Sequence, residues 1–306
     1  MNLIQSAMLG VKGVPFFSHA VIPDKTRYRR TRVIYPQSPW MEKLQKNLLN
    51  FLKGLPISKG AGKSGEKGDS ACKTLSLHVY GRFFYLTDLR HAFDSVDLEK
   101  LALILAGIPG VGNNQTELAL FLRKYCSVDD KGLATGGTAS QKLFNIYCAE
   151  LLDKPLDACM KRWTVTYTRY CDDLCFSASC PIGDKKRKEI RAIIEEAGLV
   201  VAHHKSEVLD LQKCDIIIYG IRVEWKGSKR PARLCSTKKQ STHAQGVLHM
   251  ARKGKCKLAK AHGAMGAIIT PARCQKYSYT SRERRVMEMH RQLMLNELSG
   301  QGELPL

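Results

Sequence analysis

Two adjacent acidic residues, Asp172 and Asp173, lie between two segments that have the side-chain pattern of β-strands. Residues 163–170 alternate large and small side chains before the pair, and residues 174–178 do so after it. This alternation predicts a β-hairpin with both carboxylates at its turn. Neighbouring carboxylates repel each other, and their oxygens suit Mg²⁺ or Mn²⁺. Asp also favours turns without any metal, so the pair alone leaves both interpretations open.

A third carboxylate, Asp88, ends the apolar run of residues 83–88, which predicts a buried strand. A helix is expected over residues 98–106, and the acidic residues just before it suit its N-terminal cap. Two strand-end carboxylate sites that are distant in the chain can meet on one sheet. Metal ions about 3.5–4 Å apart are a common device for in-line phosphoryl transfer. We therefore expect two Mg²⁺ ions, or Mn²⁺ in their place, at a site formed by Asp88, Asp172 and Asp173.

Five short segments carry recognisable motifs: residues 88–93, 132–141, 170–173, 198–206 and 219–221. Together they resemble the conserved boxes of the bacterial reverse transcriptases, a group with retron, group II intron, diversity-generating and defence-associated members. The sequence Tyr-Cys-Asp-Asp at residues 170–173 matches the Tyr-x-Asp-Asp box of that group. The resemblance covers about residues 25–225. It implies an α+β fold with the right-hand polymerase architecture: fingers, a palm of antiparallel sheet plus helices, and a helical thumb.

The resemblance also implies roles for individual residues. Asp88, Asp172 and Asp173 would be both catalytic and metal-binding. Phe93, five residues after Asp88, would be the steric gate that rejects ribose 2′-hydroxyls, and Lys205 would lie near the triphosphate. Further contacts with the incoming nucleotide are expected from Arg29, Arg30, Arg32, Thr135 and Gly136. Contacts with the nucleic acid are expected from Tyr170, Tyr219, Gly220, Lys253, Lys255, Lys257, Arg284 and Arg285.

The template-side box departs from the family pattern. Relatives usually read Gln-Gly-x-x-x-Ser-Pro, whereas this chain has Thr135 and Gly136 at the start and Ser140 and Gln141 at the end. Loss of the Gln side chain removes a contact near the incoming base, which bears on fidelity. The Ser-Gln ending resembles the mutagenic diversity-generating enzymes. The sequence around residues 29–35 resembles the retron enzymes instead, although two retron elements, Asn-Ala-x-x-His and Val-Thr-Gly, are not intact.

The net charge of +21 favours a polyanionic partner, because a charge this large repels itself unless a counter-charge is bound. Residues 221–306 contain 18 Lys or Arg, 5 Glu and no Asp. This part of the chain predicts a helical thumb that holds a primer–template duplex by its phosphates, and the same surface could bind a structured noncoding RNA. A basic membrane-surface protein is the alternative. No basic amphipathic helix or long apolar run favours it, and no signal peptide is evident. We expect a cytoplasmic protein.

Three parts are predicted: an N-terminal extension with fingers over residues 1–80, a palm with part of the fingers interleaved over 81–225, and a basic thumb over 226–306. Residues 54–69 are rich in Gly, Lys and Ser. They contain the end of a P-loop pattern but lack its first Gly and the apolar helix that should follow. This segment is therefore predicted to be a flexible basic loop of the fingers.

Three functional hypotheses remain open. The first is an RNA-directed DNA polymerase that uses dNTPs and a DNA or RNA primer, in a retron-like or phage-defence system with a dedicated noncoding RNA as one candidate template. The second is the same chemistry in a diversity-generating retroelement with an accessory protein. The third is a non-catalytic RNA-binding scaffold, which the three intact acids argue against. The sequence leaves the native template, the primer, the oligomeric state and the fidelity open.

Overall fold

The structure is a computed structural model that describes residues 1–23, 31–57, 61–62, 64, 68–275 and 279–298. The chain divides into two compact units. The first unit comprises Met1–Asp69, Tyr85–Phe176 and Ile182–Glu207, and the second comprises Ser70–Phe84, Ser177–Pro181 and Val208–Leu306. Within the described residues, no helix combines the length and the apolar character needed to cross a lipid bilayer.

Both units contain helices and strands. In the part of the chain that the structure describes, the α-helices are α1 Leu3–Met8, α2 Pro39–Lys53, α3 Ala71–Ser76, α4 Leu98–Ala106, α5 Gln115–Tyr125, α6 Ser140–Cys148, α7 Lys154–Trp163, α8 Asp184–Glu196, α9 Lys238–Arg252, α10 Leu258–Gln275 and α11 Ser281–Leu298. The strands are β1 Ala20–Pro23, β2 Thr31–Ile34, β3 Phe83–Arg90, β4 Thr166–Tyr170, β5 Asp173–Ala178, β6 Val200–Val201, β7 Glu207–Asp210, β8 Ile216–Ile218, β9 Ile221–Glu224 and β10 Arg233–Cys235.

The central sheet has the strand order β4-β5-β3-β6, and β7 also pairs with β3. Strands β3 and β6 run antiparallel. This order places β3, which carries Asp88, directly beside β5, which begins at Asp173. The aromatic rings of Tyr85, Tyr167 and Phe176 stack on one another beneath these strands, with ring centroids 5.7 and 4.9 Å apart. The prediction that these two distant segments meet on one sheet is confirmed, although β3 continues two residues past Asp88 to Arg90 and the predicted strand end at Asp88 is wrong.

The helix that follows β3 begins where the sequence predicts. The carboxylate of Asp97 accepts hydrogen bonds from the backbone N–H groups of Glu99 (2.9 Å) and Lys100 (3.1 Å), and it thereby caps α4. An acidic N-cap satisfies backbone donors that have no partner within the helix. The apolar residues of α4 that follow at helical spacing are buried: Leu98, Leu101, Ala102 and Leu105.

A single π-helical turn, Ala149–Asp153, joins α6 to α7. π-turns inside α-helices are rare and often lie at functional sites. The turn ends at Asp153, whose side chain is fully buried. Helix α7 continues to Trp163 and ends with Thr164 in the left-handed conformation (φ +54°). The predicted strand over residues 163–170 is therefore wrong at its start, since strand β4 begins only at Thr166.

The second unit contains a three-stranded antiparallel sheet of order β10-β9-β8 and the helices α9, α10 and α11. The helices enclose an apolar core made of Ala244, Val247, Leu248, Ala261, Met265, Ile268, Val286 and Leu293. Tyr219 and Gly220 form the turn between β8 and β9, and both have positive φ (+53° and +75°). Positive φ at both central residues is the conformation of a two-residue hairpin turn, so β8 and β9 form a β-hairpin with Tyr219 and Gly220 at its turn.

Candidate active site

The hairpin formed by β4 and β5 turns at Cys171 and Asp172. Cys171 adopts the left-handed conformation with φ +59°, which is uncommon for a residue other than Gly, Asn or Asp. Asp172 is half-buried, and Asp173, the first residue of β5, lies at the surface. The two adjacent carboxylates therefore lie at the turn of the hairpin, where the sequence pattern predicts them.

Asp88 lies beside this turn. The backbone N–H of Leu89 donates to the carbonyl of Asp172 (3.0 Å), and the carbonyl of Asp88 accepts from the N–H of Ala202 (2.7 Å). These two bonds fix the backbone of β3 between the β4–β5 hairpin and β6. The side chain of Asp88 is also within hydrogen-bond reach of that of Asp173. Three acids from distant parts of the chain thus come together at one end of the sheet.

The electrostatics of this cluster reflect the crowding of negative charge. Desolvation by the surrounding protein, together with the charges of Asp172 and Asp88, raises the pKa of Asp173 to about 6, although part of the residue remains open to solvent. Lys205 opposes this shift. Its ammonium nitrogen lies 2.5 Å from Oδ2 of Asp88. The cluster therefore has more negative than positive charge and attracts cations.

The donor set of this cluster fits a divalent cation. Carboxylate oxygens are the ligands that Mg²⁺ and Mn²⁺ prefer, and Asp88, Asp172 and Asp173 supply three carboxylates beside the single ammonium of Lys205. The present side-chain arrangement is not that of a formed metal centre, because no group of three or more His, Cys, Asp or Glu within the described residues has ligand spacing. Lys205 contacts Asp88 in this arrangement, so cation binding requires the carboxylates to adjust.

Phe93 lies on the loop that follows β3, with its ring centroid 5.1 Å from that of Phe144 on α6. The backbone of Gly132 and Leu133 supports it from the other direction, and the N–H of Leu133 donates to the carbonyl of Phe93 (2.8 Å). A Cβ atom on Gly132 would come within 2.3 Å of that carbonyl oxygen. Gly132 is therefore needed for this close approach, and Phe93 is held half-buried between two supports.

The template-side box contacts the N-terminal strand pair. The N–H of Tyr35, directly after β2, donates to the carbonyl of Thr135 (3.1 Å). Gly136 is exposed and has a φ of +96°, which favours glycine. Arg32 lies on β2, three residues before Tyr35. Two predicted nucleotide contacts, Arg29 and Arg30, lie outside the described residues.

The remaining predicted contact residues lie in different parts of the fold. Tyr170 ends β4 and directly precedes the turn of the β4–β5 hairpin. Tyr219 and Gly220 belong to the second unit, as do five basic residues that are exposed on and near its helices: Lys253, Lys255, Lys257, Arg284 and Arg285.

One buried ion pair near the site was not predicted from the sequence. The guanidinium of Arg169 and the carboxylate of Asp153 are both fully buried and 3.0 Å apart. The sequence contains only a weak signal for this pair: Arg169 lies inside a predicted strand, and Asp153 directly follows Leu151 and Leu152. Charges in such positions have to be paired when they are buried. Nothing in the local pattern identifies the partner of either one.

Comparison with known proteins gives one match to a family. Residues 26–223 match the family model described as reverse transcriptase (RNA-dependent DNA polymerase). No curated protein matches the chain in sequence.

Several solved structures are similar. Telomerase from Candida albicans in complex with the TWJ fragment of telomeric RNA is 10% identical, with a TM-score of 0.50 over 94% of this chain and 64% of that chain. Telomerase from Candida tropicalis with the same kind of fragment is 12% identical, with a TM-score of 0.49 over 94% and 58%. A foamy viral protease-reverse transcriptase with an RNA/DNA hybrid is 14% identical, with a TM-score of 0.46 over 92% and 35%.

The chain spans less than two thirds of the length of each of these structures. At such low identity, the Candida albicans match supports a shared fold and nothing further. The fold is an α+β arrangement of the reverse transcriptase type, as the sequence predicts. Because the family model matches well over half of its 306 residues, the chain belongs to the reverse transcriptase family of RNA-dependent DNA polymerases.

Proposed function

We propose that this protein is an RNA-directed DNA polymerase that copies an RNA template into cDNA, with Asp88, Asp172 and Asp173 as its catalytic residues. The observation that carries the proposal is the convergence of these acids at one end of the central sheet, where Leu89 bonds to the Asp172 carbonyl (3.0 Å). Membership of the reverse transcriptase family supports the reaction type. A scaffold without activity has no need for three crowded carboxylates.

The carboxylates of Asp88, Asp172 and Asp173 would hold two divalent metal ions, Mg²⁺ or Mn²⁺. When bound, these ions would lower the pKa of the primer 3′-hydroxyl and neutralise negative charge on the pyrophosphate leaving group. Lys205, whose ammonium lies beside Asp88, offsets negative charge in the unloaded site. Its positive charge suits the triphosphate once the carboxylates have other partners. Arg29, Arg30 and Arg32 are proposed to neutralise the same triphosphate.

Selection of dNTPs is assigned to Phe93. Its ring is fixed against Phe144 and its backbone against Gly132, so it cannot easily move away from a bulkier sugar. A fixed side chain at the sugar position excludes a ribose 2′-hydroxyl by steric conflict, which is a repulsive form of specificity. Thr135 and Gly136 are proposed to line the same nucleotide site.

Residues 226–306, which belong to the second unit, are proposed to act as the thumb. Lys253, Lys255 and Lys257 follow α9 and are exposed, as are Arg284 and Arg285 on α11. Contacts between such side chains and phosphates position a duplex without reading its sequence, as a polymerase requires. Tyr170, Tyr219 and Gly220 are proposed to contact the primer and template. The same basic surface could bind a dedicated noncoding RNA.

The biological setting is proposed to be a bacterial retron-like or anti-phage defence system. A diversity-generating retroelement with an accessory protein is the second candidate, and Gln141 favours it. In the structure, the thiol of Cys171 donates to Oε1 of Gln141 (3.1 Å), and the amide of Gln141 donates to Asn145 (3.3 Å). The residue that marks the diversity-generating type of box therefore touches the catalytic turn, where it could affect fidelity.

Primer extension on matched RNA and DNA templates tests the proposal. The wild-type protein should incorporate dNTPs on the RNA template with Mg²⁺ or Mn²⁺. The variant Asp172→Asn/Asp173→Asn should lose incorporation while keeping its affinity for the primer–template. A second adjacent pair, Asp129 and Asp130, occupies an exposed turn of the same unit, so Asp129→Asn/Asp130→Asn is a matched control that should stay active. Synthesis by the first variant would refute the site.

Sequencing the cDNA made in cells and the RNA that co-purifies separates the two settings. Errors directed at template adenines would favour the diversity-generating candidate. A short product of fixed length would favour a retron-like or defence role.

A further inference from the structure

Arg169 has no exposed surface although its side chain carries a positive charge. It lies in β4, two residues before Cys171. Its Nε and Nη2 atoms donate to the two carboxylate oxygens of Asp153 at 3.1 and 3.0 Å, which is a two-point contact. The remaining nitrogen, Nη1, donates to the side-chain oxygen of Asn145 (3.1 Å) and to the carbonyl of Cys171 (2.9 Å). The guanidinium is thus satisfied by four hydrogen bonds of good geometry.

Asp153 is held equally firmly. Besides Arg169, its Oδ1 accepts from the hydroxyl of Tyr167 (2.8 Å), and its Oδ2 accepts from the backbone N–H of Gly62 (3.2 Å). A buried ion pair is a weak source of stability, because the cost of desolvating both charges offsets much of their attraction. Apolar side chains of similar volume often give the fold equal or greater stability. A network of this size therefore calls for an explanation beyond stability. The contact that distinguishes this network from an ordinary buried ion pair is the hydrogen bond from Arg169 to the carbonyl of Cys171, in the turn that carries Asp172.

The carbonyl of Cys171 belongs to the peptide group that leads into Asp172. Cys171 is in the left-handed conformation, which persists only where the surroundings determine it. The bond from Arg169 fixes the orientation of this peptide group from the buried side. Small displacements of a catalytic group can lower a rate by about a hundredfold.

We propose that Arg169, held by Asp153, is a positioning residue that fixes the turn presenting Asp172 and Asp173, and that the Ala61–Gly62 segment is part of the same support. The inference rests on the proposed polymerase function. It assigns no contact with substrate to Arg169. It deepens the description of the site by naming what keeps the catalytic acids in place.

The Ala61–Gly62 segment reaches this support from a distant part of the sequence. The N–H of Arg169 donates to the carbonyl of Ala61 (3.2 Å), and the amide of Asn145 donates to the carbonyl of Ser64 (2.8 Å). Ala61 and Gly62 are buried, although the sequence predicted a flexible loop over residues 54–69. That prediction is wrong for these two residues, because they pair with β4 through a bridge between Gly62 and Arg169.

Gly62 offers a direct way to disturb the guanidinium. A Cβ atom added to Gly62 would lie 2.3 Å from Nη2 and 2.9 Å from Cζ of Arg169. Gly62→Ala therefore has to displace Arg169, although the mutated residue contains no functional group. A Cβ atom added to Gly183, in the same unit, would meet no other atom within 4 Å, and Gly183 has a φ of −63° that any residue can adopt. Gly183→Ala is the matched control.

The first measurement is steady-state primer extension. Gly62→Ala should lower kcat by about 10- to 100-fold, while KM for dNTP and the affinity for primer–template stay within about 3-fold. Arg169→Lys keeps the positive charge beside Asp153 but loses the planar fork, and it should lower kcat to a similar degree. Gly183→Ala should match the wild type. These variants separate positioning from folding, provided that their thermal unfolding confirms a folded protein.

The second measurement is hydrogen–deuterium exchange, which does not depend on activity. In Gly62→Ala and in Arg169→Lys, amides of residues 170–174 should exchange faster than in the wild type, while α8 stays unchanged. If the wild type has no polymerase activity, the proposed function fails and exchange alone decides the positioning role. An unchanged exchange rate at residues 170–174 in both variants overturns the proposal. If the wild type is active, a kcat within 2-fold of the wild-type value in both Gly62→Ala and Arg169→Lys also overturns the proposal.

Discussion

The ammonium nitrogen of Lys205 lies 2.5 Å from Oδ2 of Asp88. This ion pair joins the short helical turn after β6 to strand β3. Asp88 is largely shielded, with 14% of its side chain exposed, whereas Lys205 retains 36%. Lys205 therefore supplies a positive charge in direct contact with one of the three acids. It competes with any cation that binds Asp88.

Replacement of Lys205 tests this relationship. Lys205→Met leaves the three carboxylates with less compensating charge, so the variant should be less stable than the wild type without divalent ions. Millimolar Mg²⁺ should then raise its melting temperature more than that of the wild type, by roughly 2–4 °C for each kcal/mol of added binding free energy. Lys188→Met, which breaks an exposed pair with Asp184, is the control. Equal Mg²⁺ shifts in all three proteins would contradict the prediction.

Phe93 is expected to set the preference for deoxyribonucleotides. Phe93→Ala removes the ring that packs against Phe144, so ribonucleotides should be incorporated more readily relative to dNTPs. Phe93→Tyr keeps the ring and should keep the preference. The measurement is the ratio of kcat/KM for matched NTP and dNTP substrates. An unchanged ratio in Phe93→Ala would remove the gate from the account.

Local signals in the sequence were sufficient for the main features of the site. The alternation around Asp172 and Asp173 predicted the hairpin, and Asp97 predicted the start of α4, because both signals act over a few residues. The same reasoning failed at Trp163, which completes the last turn of α7 after the buried Cys159 and Met160. The alternation of large and small side chains over residues 163–165 is equally compatible with a strand and with the end of a helix. The two can be separated only when it is known which side chains pack against the rest of the protein.

Long-range partners could not be predicted in the same way. Arg169 lies inside a predicted strand and Asp153 follows two leucines, but their pairing depends on a π-turn that ends at Asp153. The burial of Gly62 depends on both of them. These contacts form only after the strand and the helix have packed together, so no local pattern records them.

His78 makes the second unit sensitive to acid. Its ring is buried with Nδ1 2.8 Å from the hydroxyl of Ser177, and desolvation lowers its pKa from 6.5 to about 3. Between these values the unfolded chain binds a proton that the folded chain does not. The free energy of unfolding contributed by His78 is therefore complete above pH 6.5 and falls as the pH drops towards 3, by at most about 1.4 kcal/mol per pH unit.

The check is a comparison of denaturant unfolding for the wild type and His78→Gln between pH 7.5 and pH 5. The difference in unfolding free energy should decline as the pH falls, since only the wild type carries this histidine. His204→Gln, at an exposed residue, is the control. A pH-independent difference for His78→Gln would show that the ring has the same pKa in the folded and the unfolded protein, and it would contradict the prediction.

The basic residues after α9 are expected to contact phosphates. Each lost phosphate contact reduces the slope of log K against log salt concentration by roughly 1. Replacing Lys253, Lys255 and Lys257 with Gln should therefore flatten the salt dependence of primer–template binding and leave kcat at saturating duplex unchanged. The control replaces three exposed lysines of the first unit: Lys161, Lys185 and Lys188. Equal salt slopes for the two triple variants would exclude the predicted thumb contact.

The most direct test of the account is single-turnover incorporation of one dNTP by Asp88→Asn. This change keeps the shape of the side chain and removes one of the three converging charges. Asp94→Asn, at an exposed acid six residues later, is the control. We predict that Asp88→Asn slows incorporation by at least about a thousandfold with duplex affinity retained, while Asp94→Asn stays near the wild-type rate. Incorporation by Asp88→Asn at a rate close to that of the wild type would contradict the assignment of Asp88 to the catalytic centre.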